Sequence, residues 1–235
     1  MSKLILFSIV LIGTLSFSDS ADDKISVSVY YESLCPDSIK FFTTQLYPTY
    51  TSPLKRYFNL KLIPYGKSSQ RQSGQGGWEF TCHHGPKECY GNKVQGCILR
   101  HVTNEADQLK YINCLMSLAL NDKYGPYPLD QCARSNNFDS NPIVQCANST
   151  NGDDVLAKNG DLTSQLNPQL TSVPTVVFNE NFSKSDQEQA FTDFKKVLCS
   201  YIKGEHPHEC HSSNSASVHS LAVIPMSLLM SWLYL

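Results

Sequence analysis

The residue with the clearest chemical potential is Cys35, which opens the segment Cys35-Pro36-Asp37-Ser38. Pro36 suits a first helical position because its missing N–H would have no partner there, and Asp37 places an acid near the positive end of the helix dipole. The Cys35 sulfur should therefore face unpaired backbone N–H groups, which favour the thiolate over the thiol. The segment predicts a reactive cysteine, with an inert leftover thiol as the alternative.

Regular elements on both sides should position this cysteine. Before it, apolar residues alternate with polar ones, which predicts a half-buried strand; after it, they recur at helical spacing, which predicts a helix ending near Pro48. Residues 59–65 predict a second strand, so the segment forms a βαβ unit, followed by a polar loop at Gly66 to Gly77. The apolar positions are Ile25, Val27, Val29 and Tyr31 in the strand and Ile39, Phe42 and Leu46 in the helix.

The rest of the chain completes an α/β fold. Residues 85–166 predict a helical insertion rich in cysteine, residues 173–178 a further strand, and residues 185–203 a closing helix. These elements follow the order of the thioredoxin fold: a strand, a cysteine, a helix and a strand, and much later a further strand and helix. The resemblance to that fold implies that Pro174 forms a cis peptide bond and lies against Cys35.

Cysteine usage indicates an oxidising compartment. Residues 1–21 have the basic start, apolar run and small residues of a secretory signal peptide. In such a protein most of the nine cysteines should be paired. Eight can form four bridges, which leaves Cys35 free and the pairing of the others open. Those eight are Cys82, Cys89, Cys97, Cys114, Cys132, Cys146, Cys199 and Cys210.

What remains after processing is one domain, residues 22–210, followed by a tail at residues 211–235. Small residues followed by an apolar run in the tail resemble a GPI-anchor signal. The two alternatives are that the tail directs attachment of a GPI anchor, or that the apolar run has no such role. Asn148 and Asn181 begin acceptor sequences for N-glycosylation. A formal net charge of −2 with dispersed basic residues argues against a nucleic-acid partner.

A longer pattern resembles one family, the gamma-interferon-inducible lysosomal thiol reductases. Its signature, Cys-Gln-His-Gly-x2-Glu-Cys-x2-Asn-x4-Cys, is met from Cys82 to Cys97 except that His83 replaces Gln. The resemblance covers roughly residues 25–210. It implies a thioredoxin-like enzyme, secreted or lysosomal, that reduces protein disulfides without a cofactor.

The chain departs from this family at the chemistry itself, because the family's Cys-x-x-Cys is here Cys35-Pro36-Asp37-Ser38. The second cysteine normally attacks the mixed disulfide and releases the reduced substrate. Ser38 cannot do so, although its hydroxyl can donate a hydrogen bond to the Cys35 sulfur. We therefore expect attack by Cys35 to survive, and resolution to need an external thiol such as cysteine or glutathione.

Two further hypotheses stay open. The chain could bind cysteine-containing peptides or proteins without catalysis, in the groove beside Cys35 and Pro174, or act as a secreted or cell-surface scaffold. Cys82, His83, His84 and Cys89 have the residue types of a zinc cluster. Because cysteines of the secretory pathway pair by default, we expect structural disulfides and no metal there, with the histidines at the surface or hydrogen-bonded.

Overall fold

The computed structural model describes residues 24–74, 76–119 and 125–211. The predicted signal peptide, and all of the predicted tail except His211, lie outside the described residues. Within the described ranges, no helix has both the length and the apolar character needed to cross a bilayer.

The described residues alternate between strands and helices in the predicted order. The strands are β1 (Ile25–Tyr31), β2 (Phe58–Pro64), β3 (Ser69–Gln72), β4 (Trp78–Thr81) and β5 (Thr175–Phe178). The α-helices are α1 (Pro36–Phe41), α2 (Tyr47–Tyr50), α3 (Pro86–His101), α4 (Glu105–Ala119), α5 (Leu129–Asn136), α6 (Asn141–Ala147), α7 (Thr150–Ser164), α8 (Lys184–Tyr201) and α9 (His208–His211). A π-helical segment, Phe42–Leu46, joins α1 to α2, and a 3-10 helix, Pro53–Tyr57, leads into β2.

A three-stranded sheet in the order β2-β1-β5 forms the centre of the fold. β1 runs parallel to β2, with Ile25 opposite Phe58, and antiparallel to β5, with Val27 opposite Phe178. The predicted alternation of β1 is confirmed, because every second residue from Ile25 is buried. β1 is therefore the central strand, held on both sides, and its end leads to Cys35.

The closing helix α8 packs on this sheet through aromatic rings. Phe194 is fully buried, and its ring meets Phe41 and Phe58 edge to face and stacks on Phe178. Such ring pairs contribute roughly 0.5–1.5 kcal/mol each beyond the area they bury. The Cys199–Cys210 disulfide then ties the end of α8 to α9.

The helical insertion consists of α3 to α7 and is closed by two disulfides. Cys97–Cys146 joins α3 to α6, and Cys114–Cys132 joins α4 to α5. Both pairs use cysteines that the sequence assigned to the insertion.

A buried polar chain docks the insertion on the sheet. Tyr31 of β1 donates to Gln95 Oε1 of α3 at 2.6 Å, and Gln95 Nε2 donates to Tyr127 Oη at 2.7 Å. Burial raises the pKa of both tyrosines well above the usual value, so both stay neutral.

The loop prediction for Gly66 to Gly77 is wrong in part. β3 pairs antiparallel with β4, with Ser69 opposite Thr81 and Gln72 opposite Trp78. Gly76 and Gly77 have φ of +87° and +89°, which suits glycine, and the Ser73 N–H donates to the Gly77 carbonyl at 3.0 Å. β3 is entirely polar and largely exposed, so it lacks the apolar alternation by which strands are detected.

Candidate active site

Cys35 lies where β1 ends and α1 begins, at the N-cap of that helix. All nine cysteines fall within the described residues, and Cys35 is the one without a disulfide partner. Its residue is 7% exposed, and its carbonyl accepts the Ile39 N–H at 2.9 Å, which starts the helix. Cys35 is therefore a buried free thiol at the start of a helix.

The loop before β5 faces this sulfur. Cys35 Sγ lies 3.9 Å from the Val173 carbonyl oxygen, and the Val173–Pro174 peptide bond is cis. A second cis bond, Asn167–Pro168, lies a few residues earlier. The fold thus brings together two segments that are 138 residues apart in the chain.

Gln187 of α8 holds the Pro174 loop in place, although it was not among the residues predicted for the site. Its Nε2 donates to the Pro174 carbonyl at 2.6 Å, and its Oε1 accepts the Val176 N–H at 2.7 Å. Gln187 is 6% exposed, so both bonds are shielded from water. Its position on the buried face of α8 was the one available signal, because a glutamine among apolar residues must find partners.

Ser38 lies one helical turn after Cys35 and is 1% exposed. Its hydroxyl accepts a long hydrogen bond, 3.4 Å, from the Glu32 N–H at the end of β1. The serine therefore helps to fix the approach to Cys35. Accepting the bond from Glu32 still leaves the hydroxyl able to donate, so the predicted hydrogen bond from Ser38 to the Cys35 sulfur stays a prediction.

The segment before Cys35 is also held by α3. The Ser33 N–H donates to Asn92 Oδ1 at 2.9 Å, and the Ser33 hydroxyl donates to the Glu88 carbonyl at 3.2 Å. The helix approaches closely at Gly91, where a Cβ would lie 2.5 Å from Ser33 Oγ. Glu88 and Asn92 belong to the pattern that runs from Cys82 to Cys97, so that pattern supports the cysteine loop.

Two buried carboxylates and two histidines form a cluster beside this loop. Glu32 Oε2 lies 3.3 Å from the Nδ1 atoms of both His83 and His84, and Glu88 Oε2 lies 2.6 Å from His84 Nδ1. Both glutamates are completely buried. Burial raises the pKa of the Glu88 carboxyl, hydrogen bonding from the His84 N–H opposes this rise, and the nearby Glu32 charge adds to it. The sequence did not place Glu32 with these histidines.

The remaining predicted residues fall at distinct places. Cys82–Cys89 closes the turn that carries the two histidines, so these cysteines are not available as metal ligands. Asn148 ends α6 and Asn181 follows β5, and both are exposed. Exposure at both asparagines leaves room for a glycan.

Comparison with known proteins identifies the family. A family model described as gamma interferon inducible lysosomal thiol reductase (GILT) matches residues 26–138. "GILT-like protein 1" of Drosophila melanogaster is 40% identical over 222 residues, covering 89% of this chain and 88% of that protein. The chain belongs to the GILT family. The mouse gamma-interferon-inducible lysosomal thiol reductase is 33% identical over 190 residues, covering 80% of this chain and 72% of that protein.

Solved structures agree with a thioredoxin-like fold of the DsbA type. BdbD from Bacillus subtilis superposes with a TM-score of 0.55 and 14% identity, covering 79% of this chain and 91% of that one. DsbA from Chlamydia trachomatis gives a TM-score of 0.50 and 16% identity, with 73% and 87% covered. The predicted fold, with its helical insertion and several disulfides, is confirmed in this GILT family member.

Proposed function

We propose that this GILT family protein is a thiol–disulfide oxidoreductase that reduces protein disulfides through Cys35 alone. The observation that carries the proposal is an unpaired cysteine at a helix start, 3.9 Å from the carbonyl of the residue before Pro174. Membership of a family named for thiol reduction supports the same reaction. The active-site Cys-x-x-Cys of the family is changed here to Cys-x-x-Ser, with Ser38 in the second position.

The first half of the reaction needs only Cys35. Its thiolate attacks one sulfur of the substrate disulfide, a new S–S bond forms, and the other substrate sulfur leaves as a thiolate that takes up a proton. The Val173–Pro174 segment, held by Gln187, lies where it can orient the substrate chain against the sulfur.

The second half needs two molecules of a small thiol such as cysteine or glutathione. Ser38 cannot attack the mixed disulfide, because a hydroxyl is barely ionised and forms no S–S bond. A first external thiol displaces the reduced substrate and remains bound to Cys35, and a second regenerates the Cys35 thiol. In total, one substrate disulfide is reduced while two external thiols are oxidised to their disulfide.

The test is a disulfide-reduction assay with cysteine or glutathione present and absent. We expect turnover only with the external thiol, and none with the Cys35→Ala variant. Turnover by Cys35→Ala at the rate of the unchanged protein would contradict the proposal.

A binding function is the second candidate, and the serine at position 38 is the observation that favours it. If partners containing cysteine bind equally well after Cys35→Ala, and Cys35 alkylates no faster than an ordinary thiol, the chain is a binding module. A scaffold in which the sulfur has no role would give the same alkylation result without such partners.

The proposed compartment rests on processing and modification signals in the sequence. A signal peptide at residues 1–21 and glycans at Asn148 and Asn181 support a lumenal, secreted or lysosomal protein, with the tail at residues 211–235 as a GPI-anchor signal. The relatives from mouse and Carassius auratus are named as lysosomal thiol reductases, which supports the same proposal.

A further inference from the structure

The cluster beside the cysteine loop has a geometry that the thiol chemistry does not use. Glu32 Oε2 is 3.3 Å from His83 Nδ1 and 3.3 Å from His84 Nδ1. Ligands of a tetrahedral zinc ion lie about 2.0 Å from the metal and therefore roughly 3.3 Å from one another. One ligand atom from each of the three residues fits within 4.8 Å of the other two.

We propose that Glu32, His83 and His84 form a binding site for a divalent late transition metal, for which Zn²⁺ is the natural probe. Two imidazole nitrogens and one carboxylate oxygen are a ligand set that zinc uses in proteins, with a further position left for water. Magnesium and calcium prefer oxygen ligands alone, so the two histidines select against them.

The carboxylate is held ready for an ion. Glu32 is completely buried, and its other oxygen, Oε1, accepts the Lys67 N–H at 2.7 Å, which aims Oε2 at the histidines. Gly66 has φ of +62°, and a Cβ there would collide with the Glu32 side chain, so the backbone packs directly on this carboxylate. Few other orientations are open to Glu32.

The histidines are presented by a constrained turn. The Cys82–Cys89 disulfide closes it, Gly85 has φ of +82°, and the His84 N–H donates to Glu88 Oε1 at 3.0 Å. The His83 side chain is 49% exposed and that of His84 30%, which leaves an entry path for the ion and room for the His83 ring to rotate. Because the turn is already held in one conformation, the entropic cost of binding an ion is smaller.

Charge also favours a cation here. Two buried carboxylates, Glu32 and Glu88, face the same histidines, and among the described residues their ion pairs are with these histidines alone. Burial of two carboxylates side by side is costly, and a divalent cation would offset that cost. Glu88 Oε2 lies 2.6 Å from His84 Nδ1, and it would lose this hydrogen bond when Nδ1 binds the ion, so it could then supply a further ligand.

The test is a Zn²⁺ titration of the untagged mature chain against a chromophoric chelator, in a Cys35→Ala background that removes the free thiol. We expect one zinc per chain. His83→Gln should weaken binding at least tenfold, because even a residue that only orients a ligand is typically worth about 10- to 100-fold in affinity. His83 is half-exposed, so this variant should fold normally.

His206→Gln is the matched control, since His206 belongs to a second histidine pair with His211 near the C-terminal disulfide. Its zinc affinity should equal that of the background. Unchanged binding in His83→Gln, or loss of binding in His206→Gln alone, would overturn the proposal.

Co²⁺ substitution gives a second readout that does not depend on reductase activity. The Cys35→Ala protein with Co²⁺ should show visible d–d bands that disappear in Glu32→Gln or His83→Gln. In the protein with Cys35 intact, the spectrum should stay free of a thiolate-to-cobalt charge-transfer band. A strong charge-transfer band, or cobalt bands unchanged by both substitutions, would show that the ligands are not these residues.

Discussion

Gln187 joins α8 to Pro174 with a 2.6 Å hydrogen bond from its Nε2 to the proline carbonyl, and its Oε1 accepts the Val176 N–H on the same segment. One buried side chain therefore fixes the loop that faces the Cys35 sulfur from the other side of the active site. A helix that packs on the sheet through aromatic rings thus also sets the position of the loop that faces Cys35.

Replacing Gln187 should damage both stability and activity. Gln187→Leu keeps the volume but leaves the buried Val176 N–H and Pro174 carbonyl without partners, which should lower the free energy of unfolding by about 1–3 kcal/mol. A loop displaced by about 1 Å should lower kcat/KM by up to ~100-fold. Denaturant unfolding and the reductase assay measure the two effects. Gln189→Leu, exposed on the same helix, should change neither, and equal losses in both variants would contradict the role of Gln187.

The cysteine pairing can be mapped directly. Peptide mapping without reductant, after alkylation of the secreted protein, should find Cys35 alone modified. The other eight should appear as Cys82–Cys89, Cys97–Cys146, Cys114–Cys132 and Cys199–Cys210. An intramolecular bridge to Cys35 would be incompatible with the proposed nucleophile.

A single-cysteine mechanism should leave a trapped complex. Acid quench without external thiol should show substrate joined to Cys35 as a mixed disulfide, and Cys35→Ala should abolish it. Ser38→Cys should restore internal resolution, shorten the life of the complex and raise turnover without added thiol. The hydroxyl-free variant Ser38→Ala is the matched control, and it should trap as the unchanged protein does. Rapid release by the Ser38 protein in the absence of thiol would exclude external resolution.

The tail prediction concerns residues that the structure, apart from His211, does not describe. If residues 211–235 carry a GPI-anchor signal, phosphatidylinositol-specific phospholipase C should release the protein from the surface of expressing cells. A variant truncated after Cys210 should instead be secreted without lipase. Retention after lipase would indicate another mode of attachment, and secretion of the full chain would show that the apolar run is no anchor.

Elements with strong periodicity were predictable from the sequence. β1 alternates and is buried at every second residue, and α8 presents Phe194, Val197 and Leu198 to the core, so these packing positions follow from spacing alone. The polar strand β3 has no such periodicity, and its hairpin was missed for that reason.

The candidate site was only partly predictable. The Pro36-Asp37 helix start indicates Cys35 as a reactive residue in the sequence. The polar contacts around Cys35, however, join segments that are distant in the chain. Glu32 meets His83 across 51 residues, and Gln187 meets Pro174 across 13 residues and the end of a strand. A single carboxylate or amide needs only one suitable partner, and that partner can lie anywhere in the chain. Its hydrogen bond therefore leaves no periodic pattern in the sequence. Cysteine pairing was open for the same reason.

The buried chain of hydrogen bonds from Tyr31 through Gln95 to Tyr127 limits how the helical insertion could be exchanged between related proteins. Apolar surfaces tolerate sliding and repacking, whereas each hydrogen bond in this chain demands one donor and one acceptor at a fixed place. The helical insertion is therefore not an exchangeable module bounded by its own sequence. Tyr31 lies on β1, outside the insertion, but its hydroxyl is hydrogen-bonded to Gln95 of the insertion. A chimera that exchanges the insertion must therefore also transfer this tyrosine.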